Sequence, residues 1–207
     1  MRLTFLILGC LTLAMVWGLL PLLAPPAFFV HMTMHMGVVA VAAPFLALGI
    51  AGGRTDPVSK IPWLFAPIPI SLLELVVVWA WHAPGLHHLA RHSMVGLLAE
   101  QAMFFVCGLL LWLSAFGGNS PSDANRTAAG VVGLLLTMMH MVLLGALLAL
   151  TPRPLYAHAE GHSGLSPLED QHFGGAIMLV GGGVSYLLGG LWLTVRLLRP
   201  PVIEPGK

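Results

Sequence analysis

Six stretches of about twenty mainly apolar residues, each long enough to cross a bilayer as a helix, follow one another along this chain. They run Leu3–Leu20, Phe28–Ile50, Ile61–Trp81, Ser93–Ala115, Ala128–Leu150 and Phe173–Leu198. Between them lie short pieces of turn chemistry, such as Ala51-Gly52-Gly53-Arg54-Thr55-Asp56-Pro57 and Gly117-Gly118-Asn119-Ser120-Pro121. No backbone polar group can stay unpaired in hydrocarbon, so segments of this kind become helices. The expected fold is all-α: a polytopic transmembrane helix bundle of about six spans, with residues 1–207 as a single transmembrane domain.

Composition agrees. Only 8% of the residues are charged, against about 25% in a soluble domain, so the lipid bilayer is the main partner of the surface. A net charge of +1 supplies no field for nucleic acid. Cys10 and Cys107 are too few for a disulfide framework and too far apart for a CxxC metal site. No small-residue cleavage pattern follows Leu20 before Pro21 and Pro25-Pro26, so the first span is expected to be retained and not removed as a signal.

Orientation follows from Lys and Arg in the short connections. Arg2, Arg54, Lys60, Arg126, Arg196, Arg199 and Lys207 fall on one side of six spans, and Arg91 and Arg153 on the other. The richer side is expected to be cytoplasmic and to hold both termini. Segments 21–27, 82–92 and 151–172 then face outward. In the last span Gly174-Gly175, Gly181-Gly182-Gly183 and Gly189-Gly190 recur about every two helical turns. Small residues there let a neighbouring helix, of this chain or of a second copy in an oligomer, approach closely.

The histidines are one-sided on this topology. His31 and His35 open the second span from outside, His82 closes the third, and His87, His88 and His92 follow in the outer segment. His158 and His162 lie in the next outer segment, His172 opens the sixth span, and His140 sits near the middle of the fifth. None falls in a cytoplasmic loop.

Three constellations stand out. In His31-Met32-Thr33-Met34-His35-Met36 the two histidines share a helix face, with Met32 and Met36 on the neighbouring stripe. Imidazole and thioether together suit copper, and thioether favours Cu(I); the same pattern also reads as lipid-facing Met beside a hydrogen-bonded His pair. Thr137-Met138-Met139-His140-Met141 repeats the chemistry on another helix. An ionisable group such as His140 inside a span ordinarily faces the bundle interior. In Trp79-Ala80-Trp81-His82-Ala83-Pro84 the tryptophans form an interfacial belt and place His82 at the membrane surface.

Glu74 and Glu100 lie inside spans, where a carboxylate is costly. Glu100 is placed to orient a histidine ligand from behind. Asp170 and His172, at the start of the sixth span, read either as helix caps or as gating groups. His158 and His162 are expected to collect metal from outside. His87, His88 and His92 are expected to be exposed, able with them to capture metal loosely, though each alone reads as a plain surface residue.

These motifs together resemble the CtaG family of cytochrome c oxidase assembly factors, in its multi-span form. The matching pieces are His31-Met32-x-x-His35-Met36, Ala43-Pro44-Phe45-Leu46-Ala47-Leu48-Gly49, Trp81-His82-x-Pro84-x-Leu86, and Glu100 followed by Phe104, Phe105, Gly108 and Trp112. They continue with Leu155-Tyr156 and Leu165-Ser166-Pro167-Leu168-Glu169-Asp170-Gln171-x-x-Gly174-Gly175, so the resemblance covers about residues 28–185. It departs at Glu100-Gln101, where the family often has Glu-His, and the chain is shorter than seven-span members.

The resemblance implies a multi-pass protein of the bacterial plasma membrane. Such a protein would help mature a haem–copper oxidase, without itself being an enzyme, by handling copper for the oxidase subunits. The expected metal ligands are His31, His35, His82 and His140, with Met32, Met36 and Met138 as soft partners and Glu100, Asp170 and His172 supporting or gating. The alternatives are a b-type cytochrome, with haem b held by two histidines such as His35 and His140, a copper transporter, and a scaffold without metal.

Overall fold

The computed structural model describes residues 1–24, 26–118, 124–156 and 164–198. His158 and His162 lie outside the described residues. Seven helices account for nearly all of the rest: α1 (Arg2–Leu23), α2 (Phe28–Ile50), α3 (Pro67–His82), α4 (Pro84–His92), α5 (Met94–Phe116), α6 (Ala124–Leu150) and α7 (Pro167–Leu198). Five of these are long and apolar enough to cross a membrane, and α3 with α4 forms a sixth element bent by 71°. The all-α polytopic bundle expected from the apolar periodicity is the fold observed.

Several boundaries differ from expectation, the last two helices beginning at Ala124 and Pro167 ahead of the expected Ala128 and Phe173. The third span was expected from Ile61, but Pro62–Phe65 form a 3-10 turn and the helix begins at Pro67. Proline fits the first turn of a helix, where its missing N–H costs nothing, so Pro67 marks the start. At 16 residues the helix is about 24 Å long, shorter than its neighbours. Segment 82–92 was expected to be a loop and is instead mostly the short helix α4. Pro84 occupies its first turn, and His87 and Ala90 bury one face. That face lies hard against α5: a Cβ added at Gly96 would sit 2.7 Å from the Leu89 carbonyl oxygen.

Small residues set the helix spacings. On α6 and α7, added Cβ atoms at Gly145 and Gly175 would lie 2.6 Å from the Leu179 nitrogen and 2.5 Å from the Ala149 nitrogen, so the two backbones touch. Further along α7, Gly174 receives Phe28, Gly181 receives Met36, Gly182 receives Met141 and Gly189 receives Trp112. The glycine face of the last span is therefore filled by side chains of its own chain and is not left open for a second copy. α1 packs on α2 through Gly9 against Leu46, Gly49 against Leu6 and Gly37 against Val16.

Within α2, residues Gly37–Ala42 form a π-helical stretch. A π turn disrupts the regular carbonyl ladder, and two of its carbonyls have partners from other helices. Trp112 Nε1 donates to Val39 O at 2.8 Å and Ser185 Oγ donates to Ala40 O at 2.6 Å. This ties α2 to both α5 and α7 in the middle of the bundle.

The ends differ in chemistry. At one end Arg2 donates to Gly52 O, and Asp56 accepts from the backbone N–H groups of Gly52, Val58 and Gly118. Arg126 there donates to the carbonyls of Phe65, Ser114 and Gly117. The histidines gather towards the opposite end.

Candidate metal centre

α2 carries the first two histidines, and its start is fixed from another helix. Asp170, at the beginning of α7, accepts Phe28 N–H through Oδ2 at 2.8 Å and Phe29 N–H through Oδ1 at 2.9 Å. A buried carboxylate thus caps the exposed donors of a helix N-terminus. Both oxygens are used, so Asp170 anchors the helix that bears His31. His172 is likewise committed: its Nε2 meets Thr151 O at 2.8 Å, at the end of α6. Glu169 closes a capping box with Ser166.

One turn into α2, His31 and then His35 point into the bundle, both buried. His82, the last residue of α3, stands opposite, with ring centroids 6.2 Å from His31 and 5.3 Å from His35. Its Nδ1 lies 2.6 Å from Val78 O. That contact makes Nδ1 the protonated nitrogen and leaves the Nε2 lone pair facing the cluster, the arrangement that orients a histidine ligand. Tyr156 closes the group above. Its hydroxyl donates to His82 O at 2.6 Å, and its ring packs on Phe28 and His87 at 4.6 and 4.3 Å. Burial pushes the Tyr156 phenol above its ordinary value, so the donor persists at any physiological pH.

α4 supplies a residue that sequence reasoning set aside. His87 is buried, not a surface group, and its ring lies 5.2 Å from that of His31. From α5, Glu100 completes the set. One ligand atom each from His31, His87 and Glu100 all lie within 4.8 Å of one another. A tetrahedral ion with bonds of about 2.0–2.1 Å needs ligand atoms about 3.3 Å apart. Below this triad Phe104 packs against His35 at 4.0 Å and His82 at 5.9 Å. His140, buried on α6, is within electrostatic range of His35.

The hydrogen bonding of these rings is unusual. Among the described residues, neither nitrogen of His31, His35 or His140 has a hydrogen-bond partner, nor do His82 Nε2 and Glu100 Oε1, and all of these atoms are buried. Leaving a buried polar atom unmade costs about 1–3 kcal/mol. A histidine kept for structure would bond a helix carbonyl, as His82 Nδ1 does. The unpartnered atoms come from four helices, α2, α3, α5 and α6.

The methionines face elsewhere. Met32 lies against Gly174, and Met36 meets Gly181 with its sulfur 3.4 Å from an added Cβ. Both stand a hundred degrees round the helix from the histidines, so they pack α2 on α7. Met138 is half-buried against the apolar core. Gln101, where the resemblance leads one to expect histidine, accepts from Trp17 Nε1 at 2.9 Å and donates to Glu100 Oε2 at 3.3 Å. It links α1 to the carboxylate. Glu74, unassigned from sequence, lies deeper and accepts from Tyr186 OH and Thr137 Oγ1, both at 3.2 Å.

A cavity of about 780 Å³ reaches His31 and His87, lined also by Pro26, Phe28, Arg91 and Tyr156. Small ions and side chains thus have a way in beside α4.

Against this geometry stands a family comparison. Residues 1–200 match the model of the cytochrome c oxidase caa3 assembly factors. The chain belongs to that family. The match includes the first span, which the resemblance drawn from motifs alone did not reach. No curated protein and no solved structure matches. Membership in a caa3 assembly factor family ties the chain to maturation of a terminal oxidase, and the apolar helices make it a multi-pass membrane protein.

Proposed function

We propose that this caa3 assembly factor binds one copper ion, as Cu(I), and hands it to a cytochrome c oxidase subunit at the outer face of the bacterial plasma membrane. His31, His87 and Glu100 form the entry site, and His35, His82 and His140 extend it inward. The observation that carries the reading is the set of buried imidazole nitrogens without hydrogen bonds, drawn from α2, α3 and α6. Imidazoles suit copper, and the family's task is assembly of an oxidase. The outer location rests on the charge bias: the histidine end carries Arg91 and Arg153, and the opposite end carries Arg2, Arg54, Lys60, Arg126 and Arg196. The role is delivery and not catalysis.

The test is metal analysis with a visible spectrum on protein purified from membranes without chelator. Copper near one equivalent per chain, lost in a His31→Ala/His87→Ala double variant, supports the reading. Sharp absorption bands would instead assign haem b, with His35 and His140 as axial candidates. Protein free of metal that still supports oxidase assembly would assign a scaffold.

A further inference from the structure

The carboxylate that faces the histidines already holds a cation. Glu100 Oε2 accepts from Arg91 Nη2 and from Gln101 Nε2, and lies 3.7 Å from His31 Nδ1. Oε1 has no hydrogen-bond partner among the described residues. Arg91 sits four residues after His87 on α4, so one short helix brings both a candidate ligand and a guanidinium to the same carboxylate. The carboxylate is fully buried, whereas the Arg91 side chain is 29% exposed and lines the cavity outside. The guanidinium therefore has an exit that the carboxylate lacks.

An ion held by His31, His87 and Glu100 would stand about 2 Å from a carboxylate oxygen. Its charge would then face the guanidinium across that group at close range, where like charges repel strongly outside bulk water. We propose that Arg91 is the placeholder cation of this site: it neutralises Glu100, and an arriving metal ion displaces it into the cavity. The proposal rests on the metal reading above. Its charge balance is simple. One positive charge leaves the carboxylate and one arrives, so a monovalent ion keeps the buried site neutral. A divalent ion would leave a net positive charge in a dry environment, which is costly. The exchange favours Cu(I) over Zn(II) and links loading to an outward movement of Arg91 on α4.

The experiment uses the full chain in detergent under reductant, with Cu(I) supplied from a chromophoric chelator buffer. Arg91→Gln removes the competitor and is expected to bind Cu(I) about tenfold tighter than wild type, a coupling of ordinary size; Arg91→Lys keeps the charge and stays near wild type. In unmutated protein, modification of Arg91 by phenylglyoxal, mapped by mass spectrometry, is expected to rise several-fold on adding Cu(I), and less on adding Zn(II). Wild type that binds Cu(I) while Arg91→Gln binds equally or more weakly overturns the placeholder role alone. So does Arg91 labelling that does not change on loading, which decides the matter if the variant fails to fold. Wild type that takes up no Cu(I) overturns the metal reading and this inference together.

Discussion

Replacing His35 by leucine is expected to make the metal-free protein more stable. His35 is fully buried, with its ring 4.0 Å from that of Phe104, and neither ring nitrogen is hydrogen-bonded. A desolvated polar group without a partner costs about 1–3 kcal/mol, and an apolar replacement of similar size removes that cost. For a chain of this length each kcal/mol moves the melting temperature by about 2–4 °C, so the 1–3 kcal/mol range puts His35→Leu about 2–12 °C above wild type. The assay is thermal unfolding in detergent, with and without Cu(I). Wild type gains from Cu(I), because a ligand that binds only the folded state stabilises it; His35→Leu gains little. A residue retained at a cost in stability and needed for the ligand is the mark of a functional site. A His35→Leu variant that melts well below wild type without metal would refute the reasoning, since the imidazole would then be making a bond the fold depends on.

Other positions test other parts of the account. His82→Leu should gain less than His35→Leu, because the lost Nδ1 bond to Val78 O, about 1 kcal/mol, offsets the relief of the unpartnered Nε2; unfolding under the same conditions measures the difference. Asp170→Ala strips the cap from Phe28 and Phe29 and should cost about 2–5 kcal/mol, as two bonds to a charged acceptor are lost, with Asp170→Asn recovering part of it in the same melt. Tyr156→Phe keeps the ring packing but loses the bond to His82 O; it should cost about 1 kcal/mol and weaken Cu(I) in a chelator competition. Gly175→Val would drive a side chain onto the α6 backbone 2.5 Å away, and the variant should fail to accumulate in membranes, as read by immunoblot.

The spans and the one-sided histidines were legible because lipid leaves few choices. Apolar length selects helices. The period of His31 and His35 placed both on one face, and the structure turns that face inward. The same period put Met32 and Met36 on a neighbouring face, but not what that face meets. Gly174 and Gly181 decide it, and they lie on a helix far along the chain. His87 and Arg91 were missed because segment 82–92 reads as polar loop when taken apart from its fold. The available signal was Pro84 at a helix start followed by His87 and Arg91 four residues apart, with His88 and His92 on the adjoining face. Asp170 was read as a cap or a gate. Only the fold shows that it caps α2 across the bundle and not its own helix.

The most direct test of the central claim is X-ray absorption at the copper edge on the loaded protein. The account predicts a shell of nitrogen and oxygen neighbours at about 2.0 Å with the scattering pattern of imidazole, diminished in His31→Ala and His87→Ala. A sulfur shell at about 2.3 Å, or a spectrum unchanged by those substitutions, would contradict it.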